Sequence, residues 1–265
     1  VLTGLLDHWQ ARLAGAPPWL EVPPDHPRPA MPSYLGAMER FRVPADVVVG
    51  LRALGRSRRA TLYMTLLGAF KTLLARSTGA DDVVVGGTTA GRVRAELEDL
   101  IGFFVNPLAL RTDLTGDPTF TEVVARVRRT TLDAFDHQDA PFDKVVQRVK
   151  PPRDPSRNPL IQVAFEFQEH AGIPSHLGGG VALTDVGGYS GAEYGAVEDR
   201  GVTARLDIEL FVAAAADGSL DATLVYAADL YDPPTMARLA ARFGQLLSDV
   251  VADPMMRVSE AAPLS

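Results

Sequence analysis

The chain has 265 residues, long enough for one large or two small domains with a hydrophobic core, and 46% of them are hydrophobic. Its 26 basic and 33 acidic residues give a net charge of −7, which argues against nucleic acid as the main partner because phosphate backbones need a clustered positive field. The chain has no cysteine, which excludes disulfides and cysteine-ligated metal sites. No apolar run is long enough to cross a membrane. We therefore expect a cytoplasmic protein that binds neither nucleic acid nor membranes.

The first 80 residues show three helical patterns. A short helix over 3–14 is followed by a proline-rich segment, 17–32, that favours an extended path. A second helix is predicted over 44–54, and a third over 60–79, where Gly79 marks the end. The third has the strongest pattern, because apolar residues recur every three or four positions: Leu62, Leu66, Phe70 and Leu73.

The middle of the chain alternates strands and a helix. Residues 81–87 form a short apolar run typical of a buried strand. A second strand is predicted over 103–114, at an edge, a bulge or a broken pairing, because Pro107 cannot donate to a sheet ladder. A helix is expected over 119–136, and residues 160–168 alternate cleanly between apolar and more polar positions.

The last third begins with a stretch that lacks periodicity. Residues 169–204 are rich in glycine and predict a long loop, which in a compact domain is usually functional or mobile. Residues 204–231 read as a hairpin that turns at Asp217-Gly218, and a final helix is predicted over 233–251. Strands alternating with amphipathic helices indicate an α/β fold with a mixed sheet.

The histidines do not form a metal motif in the sequence. None is close to another or at HExxH spacing, so no metal site is expected; the five are His8, His26, His137, His170 and His176. His137 alone lies in a suggestive context, HQDAPFDKVV (137–146), although a histidine at a helix end more often caps a carbonyl. Residue type and spacing therefore yield no complete catalytic constellation.

Three motifs occur together and in order: IGFFVNPLALR (101–111), HQDAPFDKVV (137–146) and RDPSRNPL (153–160). They resemble the fifth, sixth and seventh core motifs of the condensation domains of nonribosomal peptide synthetases, and the similarity runs from about Leu6 to Ser265. The catalytic signature of that family, HHxxxDG, is absent from the chain. The chain thus resembles the C-terminal lobe of a condensation domain over residues 1–265, with a chloramphenicol-acetyltransferase-like fold.

The resemblance implies a tunnel between two such lobes, in which an acceptor amine attacks a donor thioester. The missing N-terminal lobe would supply the catalytic histidine. Carrier-protein domains would bring the substrates on phosphopantetheine arms, so no cofactor is expected on this chain itself. The resemblance also implies that the 169–204 loop leads into a segment crossing to the other lobe, and that 259–265 begins a linker to an adenylation domain.

The resemblance also assigns roles to single residues. We expect Arg92 to pair with the buried aspartate of the missing signature, the alternative being an ion pair with Glu96 or Glu98 on its own lobe. Phe104 and Asn106 would line the tunnel, although Asn106 could equally cap a bulge beside Pro107.

The other two motifs combine architecture with tunnel contacts. His137 and Gln138 would lie at the tunnel entrance, while Asp139 would cap the helix that opens near Pro141, with Phe142 as its buried anchor. In RDPSRNPL, Asp154 and Arg157 would form a structural ion pair with Arg153 nearby, and Asn158 would be a polar contact to the tunnel. These residues would support catalysis rather than perform it.

Two other classes of function remain open at this stage. The chain could be a condensation-like module that has lost catalysis and docks carrier proteins or tailoring enzymes. It could also be a free-standing acyltransferase of the chloramphenicol type, but that enzyme needs its own catalytic histidine, which the context of His137 does not supply. An intact HHxxxDG upstream would favour the amide-forming enzyme over the docking module.

Overall fold

The computed structural model describes residues 2–92, 95–98, 100–169 and 201–262. These residues form six α-helices and a seven-stranded sheet. The helices are α1 (Leu2–Leu13), α2 (Ala45–Ser57), α3 (Leu62–Thr78), α4 (Phe120–Asp136), α5 (Phe142–Val149) and α6 (Pro233–Ala252). The strands are β1 (Leu35–Val43), β2 (Asp82–Thr89), β3 (Asn106–Asp113), β4 (Val163–Gln168), β5 (Val202–Thr203), β6 (Ile208–Ala214) and β7 (Leu220–Ala227).

The strands form one mixed sheet in the order β3-β2-β4-β6-β7-β1-β5. Strand β4 lies inside the sheet, and it runs parallel to both β2 and β6. The remaining pairs are antiparallel, including the β6–β7 hairpin, whose turn contains Gly218 at a φ of 83°. Strand β3 lies at one edge, where the missing amide of Pro107 costs no ladder hydrogen bond on the open side.

Helices α2, α3, α4 and α6 cover one face of the sheet and enclose the core. Aromatic rings link the layers: the Phe70 ring centroid lies 6.1 Å from that of Phe165 on β4 and 5.9 Å from that of Phe243 on α6. Helix α3 is buried along most of its length, which explains why its sequence is apolar all round. Helix α1 packs against α5 beside the β3 edge.

Most predicted elements are confirmed. Helix α3 begins after Thr61, whose hydroxyl accepts from the amide of Met64, and it ends at Gly79 in the left-handed conformation, φ 72°. Strand β3 is an edge strand as predicted, but it starts at Asn106 rather than at residue 103. Strand β1, which pairs with β7 along its length, was not predicted.

Two predictions concern the 169–204 loop. Residues 170–200 lie outside the described residues, so the loop and its crossover stay predictions there. Residues 202–203, which the prediction placed in the loop, form β5 and pair with β1. Among the described helices, none combines the length and apolar character that a membrane span requires.

Candidate functional site

Asn106 connects two of the three sequence motifs. Its Nδ2 donates to the carbonyl oxygens of Gln138 at 2.9 Å and of Ala140 at 2.8 Å, and its Oδ1 accepts from the amide of Phe142 at 3.0 Å. Both amide hydrogens are therefore used by the turn that leads into α5. The prediction that Asp139 caps α5 is wrong, because α5 has no side-chain capping bond at its N-cap residue, Pro141. The first amide of the helix, that of Phe142, instead donates to Asn106 on strand β3.

The predicted bulge cap is also wrong, since Asn106 bonds to the 138–142 turn. Beside it, the Gln138 side chain reaches across to β2: its Oε1 accepts from the Thr89 hydroxyl, and its Nε2 donates to the carbonyl of Phe135 at 2.9 Å. Strand β2 ends at Thr89, so the three segments around Thr89, Asn106 and Gln138 meet at one end of the sheet.

Arg92 holds the loop between β2 and β3. Its guanidinium donates to the carbonyls of Leu97, of Glu98 at 3.3 Å and of Gly102 at 3.5 Å. The same group lies 4.6 Å from the Phe104 ring centroid, which is cation–π distance. Arg92 forms no ion pair with the described carboxylates of Glu96 and Glu98, so the intra-lobe alternative is wrong.

The same loop exposes apolar side chains. Ile101 is fully exposed and Phe103 is 89% exposed, with Leu100 and Val105 also open to solvent. Single exposed apolar residues are ordinary, but a contiguous group of this size usually marks an interaction surface. We call Leu100, Ile101, Phe103 and Val105 the apolar loop.

His137 does not stand alone. It follows the last residue of α4, its Nδ1 lies 2.8 Å from the carbonyl oxygen of Asp133, and its own carbonyl accepts from Trp9 Nε1 at 3.0 Å. Its ring stacks on that of His8, with centroids 3.4 Å apart and planes 4° from parallel. The expectation that no two histidines come close is therefore wrong, because α1 packs against this end of α4.

RDPSRNPL forms a hydrogen-bonded joint between the proline-rich segment and β4. The predicted ion pair is present, with Arg157 Nε 3.3 Å from Asp154 Oδ2. Arg157 also lies 2.9 Å from Glu21 and stacks over Trp19 at 5.1 Å. Arg153 is exposed, and it lines a surface pocket together with Trp19 and Arg157.

Asn158 adjoins a small cavity. Its Nδ2 donates to the carbonyl of Arg205 at 2.7 Å, and the cavity beside it has a volume of about 220 Å³. Thr88, Pro107 and Glu166 line the same space. The cavity thus lies between the Asn106 turn and RDPSRNPL on the sheet face opposite α3.

Glu166 gives this cavity a titratable group. Burial raises the pKa of its carboxyl to about 6, while the hydrogen bond from the Thr88 hydroxyl at 2.7 Å opposes the shift. The carboxylate of Glu209 adds to the rise in this pKa, and Arg205 lowers it. Glu166 was not predicted as a site residue, although its position on the polar side of the alternating 160–168 stretch was a usable signal.

A second group missed in the sequence is a buried ion pair. Arg28 from the proline-rich segment bonds both carboxylate oxygens of Asp207, at 2.9 and 2.5 Å, and both side chains are 11% exposed. This ion pair fixes the proline-rich segment against the start of β6. The two residues are far apart in the sequence, so no local sequence pattern predicts that they pair.

Comparison with known families accounts for this arrangement. The family model for the condensation domain matches residues 5–265. The chain belongs to the condensation domain family. The motifs that meet around Asn106 are thus those of a condensation domain, and the chloramphenicol-acetyltransferase-like fold agrees with the mixed sheet and its helices.

Peptide synthetases are among the similar sequences. The chain is 43% identical over 264 residues to one of the linear gramicidin synthase polypeptides of Brevibacillus parabrevis, covering all of this chain and 3% of that protein. It is 38% identical over 248 residues to phosphinothricin tripeptide synthetase PhsB of Streptomyces viridochromogenes, covering 92% of this chain and 20% of that one. The chain therefore spans a small part of the proteins that it resembles.

Solved structures show the same fold. The four-domain peptide synthetase holo-AB3403, bound to AMP and glycine, superposes with a TM-score of 0.84 at 27% identity, covering 97% of this condensation domain chain and 20% of that protein. The X-domain from teicoplanin biosynthesis superposes with a TM-score of 0.84 at 30% identity, covering 99% of this chain and 57% of that one. The X-domain has also been solved in complex with OxyB.

Proposed function

We propose that this chain is the C-terminal lobe of a condensation domain that joins a carrier-bound donor acyl thioester to a carrier-bound acceptor amine. The observation that carries the proposal is the family match over residues 5–265 together with the absence of HHxxxDG. The phosphopantetheine belongs to partner carrier proteins, and an adenylation domain adjoins residues 259–265. The X-domain superposition covers 99% of this chain but 57% of the X-domain, which is consistent with one lobe of two.

Arg92 is the proposed inter-lobe contact. Three carbonyl oxygens hold its guanidinium, but no described carboxylate neutralises its charge. A buried aspartate in the missing signature needs a cationic partner, because an unpaired buried charge is costly. In this proposal the apolar loop beside Arg92 packs against the N-terminal lobe.

The region around Asn106 would form part of the tunnel wall. Since both hydrogens of the Asn106 amide are used by backbone carbonyls, its role is to hold the 138–142 turn in place. Phe104 and Asn158 would supply contacting surface. Asn158 lines the cavity of about 220 Å³, which would receive part of the substrate or of the pantetheine arm.

The chemistry is a direct aminolysis. The acceptor nitrogen forms a bond to the donor carbonyl carbon, the carbon–sulfur bond breaks, and the proton lost by the amine balances the released thiol. The histidine that positions or deprotonates the amine would come from the upstream signature. This chain would contribute orientation and the exclusion of water, and it would be inactive alone.

A single-turnover assay with donor and acceptor aminoacyl carrier proteins tests the proposal. We expect dipeptidyl product from a protein with the upstream residues restored and none from this chain alone. In the restored protein, Arg92→Gln should lower the rate about tenfold or more, because the aspartate loses its partner. Arg56→Gln, an exposed arginine on α2, serves as the matched control. Product from this chain alone would refute the proposal that the catalytic histidine lies outside it.

A docking module is the second candidate function. It is favoured by the superposition on the X-domain, which was solved in complex with OxyB. If the restored protein forms no dipeptide although its carrier proteins are loaded, the docking module replaces the enzyme. Binding of a carrier protein would then be measured directly, by titration against the restored protein.

A further inference from the structure

His8, Asp133 and His137 form a second cluster, which shares no residue with the lining of the cavity beside Asn158. His8 lies on α1, Asp133 in the last turn of α4, and His137 directly after that helix. One ligand atom from each lies within 4.8 Å of the other two, and all three side chains are partly exposed. Two imidazoles and a carboxylate are brought together by the packing of α1 against the end of α4.

The hydrogen bond of His137 determines which of its ring nitrogens has a free lone pair. The Asp133 carbonyl oxygen, 2.8 Å from His137 Nδ1, can only accept, so Nδ1 carries the proton of the neutral ring. The lone pair is then on Nε2. Metal-binding histidines are typically held in this way, with the other ring nitrogen donating to a backbone carbonyl or a carboxylate.

His8 offers a second nitrogen. Its Nε2 is buried and makes no hydrogen bond among the described residues, although Asp133 Oδ2 lies 3.4 Å away. The contact with Asp133 is an ion pair only when His8 is protonated, and in the neutral ring a bound ion would give this buried nitrogen a partner.

We propose that His8, Asp133 and His137 bind one Zn²⁺, with water as the fourth ligand. Imidazole nitrogen suits zinc far better than it suits Mg²⁺ or Ca²⁺, which prefer oxygen ligands. Two histidines, one carboxylate and a water form a common tetrahedral zinc set. The ion would tie α1 to α4 beside the turn that Asn106 holds, and so it would act on stability rather than on the reaction.

Binding requires two local adjustments. A metal lies in the plane of each imidazole that binds it, so the two stacked rings, whose centroids are 3.4 Å apart, must tilt and their centroids must separate to roughly 5 Å on tetrahedral zinc. Arg12, whose Nε lies 3.6 Å from Asp133 Oδ2, must give up that ion pair. It keeps its bonds to the Arg111 carbonyl and the Thr130 hydroxyl, both at 3.1 Å.

The test is a zinc titration of the metal-free chain, prepared without a polyhistidine tag, in competition with a chromophoric chelator. We expect one Zn²⁺ per chain and a rise in Tm on binding. His8→Phe keeps a ring in the stack but removes the ligand, and it should weaken binding about tenfold or more, as should Asp133→Asn. Substituted Co²⁺ should show the visible absorption of a tetrahedral site.

His26→Asn is the matched control, because His26 lies 2.9 Å from Asp232 in an exposed pair without a third ligand among the described residues. That variant should bind zinc as the wild type does. Circular dichroism checks that each variant is folded. The site is refuted if the wild type takes up no zinc, or if folded His8→Phe binds zinc as tightly as the wild type.

Discussion

Lys71 shows how far a single residue can depart from its usual environment. It is fully buried in α3, and its ammonium donates to the carbonyls of Val83 at 3.3 Å and Leu110 at 2.5 Å and to the Thr112 hydroxyl at 2.8 Å. These acceptors match its three hydrogens, while burial holds the pKa of Lys71 well below its usual range. The lysine thus joins α3 to β2 and β3.

Glu166 is the residue whose titration should be measurable. Its carboxyl has a pKa of about 6 in the folded chain, against an ordinary value of 4.5. Between these two values the folded state binds more protons than the unfolded state, so stability falls as the pH rises. The penalty is absent below pH 4.5 and complete above about pH 6.

Glu166→Gln should therefore stabilise the chain at pH 7 by about 1–2 kcal/mol and have little effect below about pH 4.5. Urea unfolding of variant and wild type across this range measures the difference. An amide can still accept from Thr88, so the hydrogen bond is not the source of the gain. A difference that does not vary with pH would contradict the burial of an ionised carboxylate.

At the scale of elements, Arg111 fixes the edge strand β3. Its guanidinium bonds both carboxylate oxygens of Asp82 on β2, with Nη2 2.7 Å from Oδ2, and donates to the carbonyls of Arg12 and Ala14 at the end of α1. A planar fork with these contacts cannot be replaced by the single ammonium of lysine. One side chain thus ties an edge strand to its neighbour and to a helix.

Arg111→Lys should cost on the order of 1–2 kcal/mol and speed amide hydrogen exchange in β3 and in the last turn of α1. Arg128→Lys is the control, since Arg128 donates to the carbonyl of Arg59, away from β3, and forms no ion pair with a described carboxylate. Exchange is measured on both variants by mass spectrometry. Equal exchange in β3 for Arg111→Lys and the wild type would show that the edge is held by other contacts.

Elements with strong local signals were predictable. Helix α3 has a continuous apolar pattern and a glycine stop, and the β6–β7 hairpin has Asp-Gly at its turn. Strand β1 was not predictable, because Glu39, Arg40 and Arg42 interrupt any apolar run. Its identity as a strand comes from pairing with β7, and such a distant contact leaves no mark in a local pattern.

At the scale of the whole molecule, the site was only partly predictable. The motifs marked the right segments, and the Asp154–Arg157 pair could be inferred from its spacing. The bonds of Asn106 to the 138–142 turn and the stack of His8 on His137 depend on tertiary packing, which no spacing encodes. Sequence therefore predicted which segments meet better than it predicted the contacts of each side chain.

The apolar loop should govern the solution behaviour of the chain. Ile101 and Phe103 expose contiguous apolar surface, which favours self-association of the chain. Ile101→Ser with Phe103→Ser should shift the chain toward monomer in sedimentation velocity, whereas Val49→Ser, a lone exposed apolar residue on α2, should not. If the wild type and both variants associate equally, the surface responsible for self-association lies outside the apolar loop.

The position of β1 in the sheet has a consequence for synthesis. β1 pairs with β5 and β7, strands that lie roughly 170 to 190 residues further along the chain. At about 5–20 residues per second, a ribosome needs on the order of ten to forty seconds to deliver β7 after β1. During that time β1 is an unpaired strand, and its charged side chains, Glu39, Arg40 and Arg42, oppose aggregation. The same charged residues that make β1 hard to predict from sequence thus protect the nascent chain until β7 emerges.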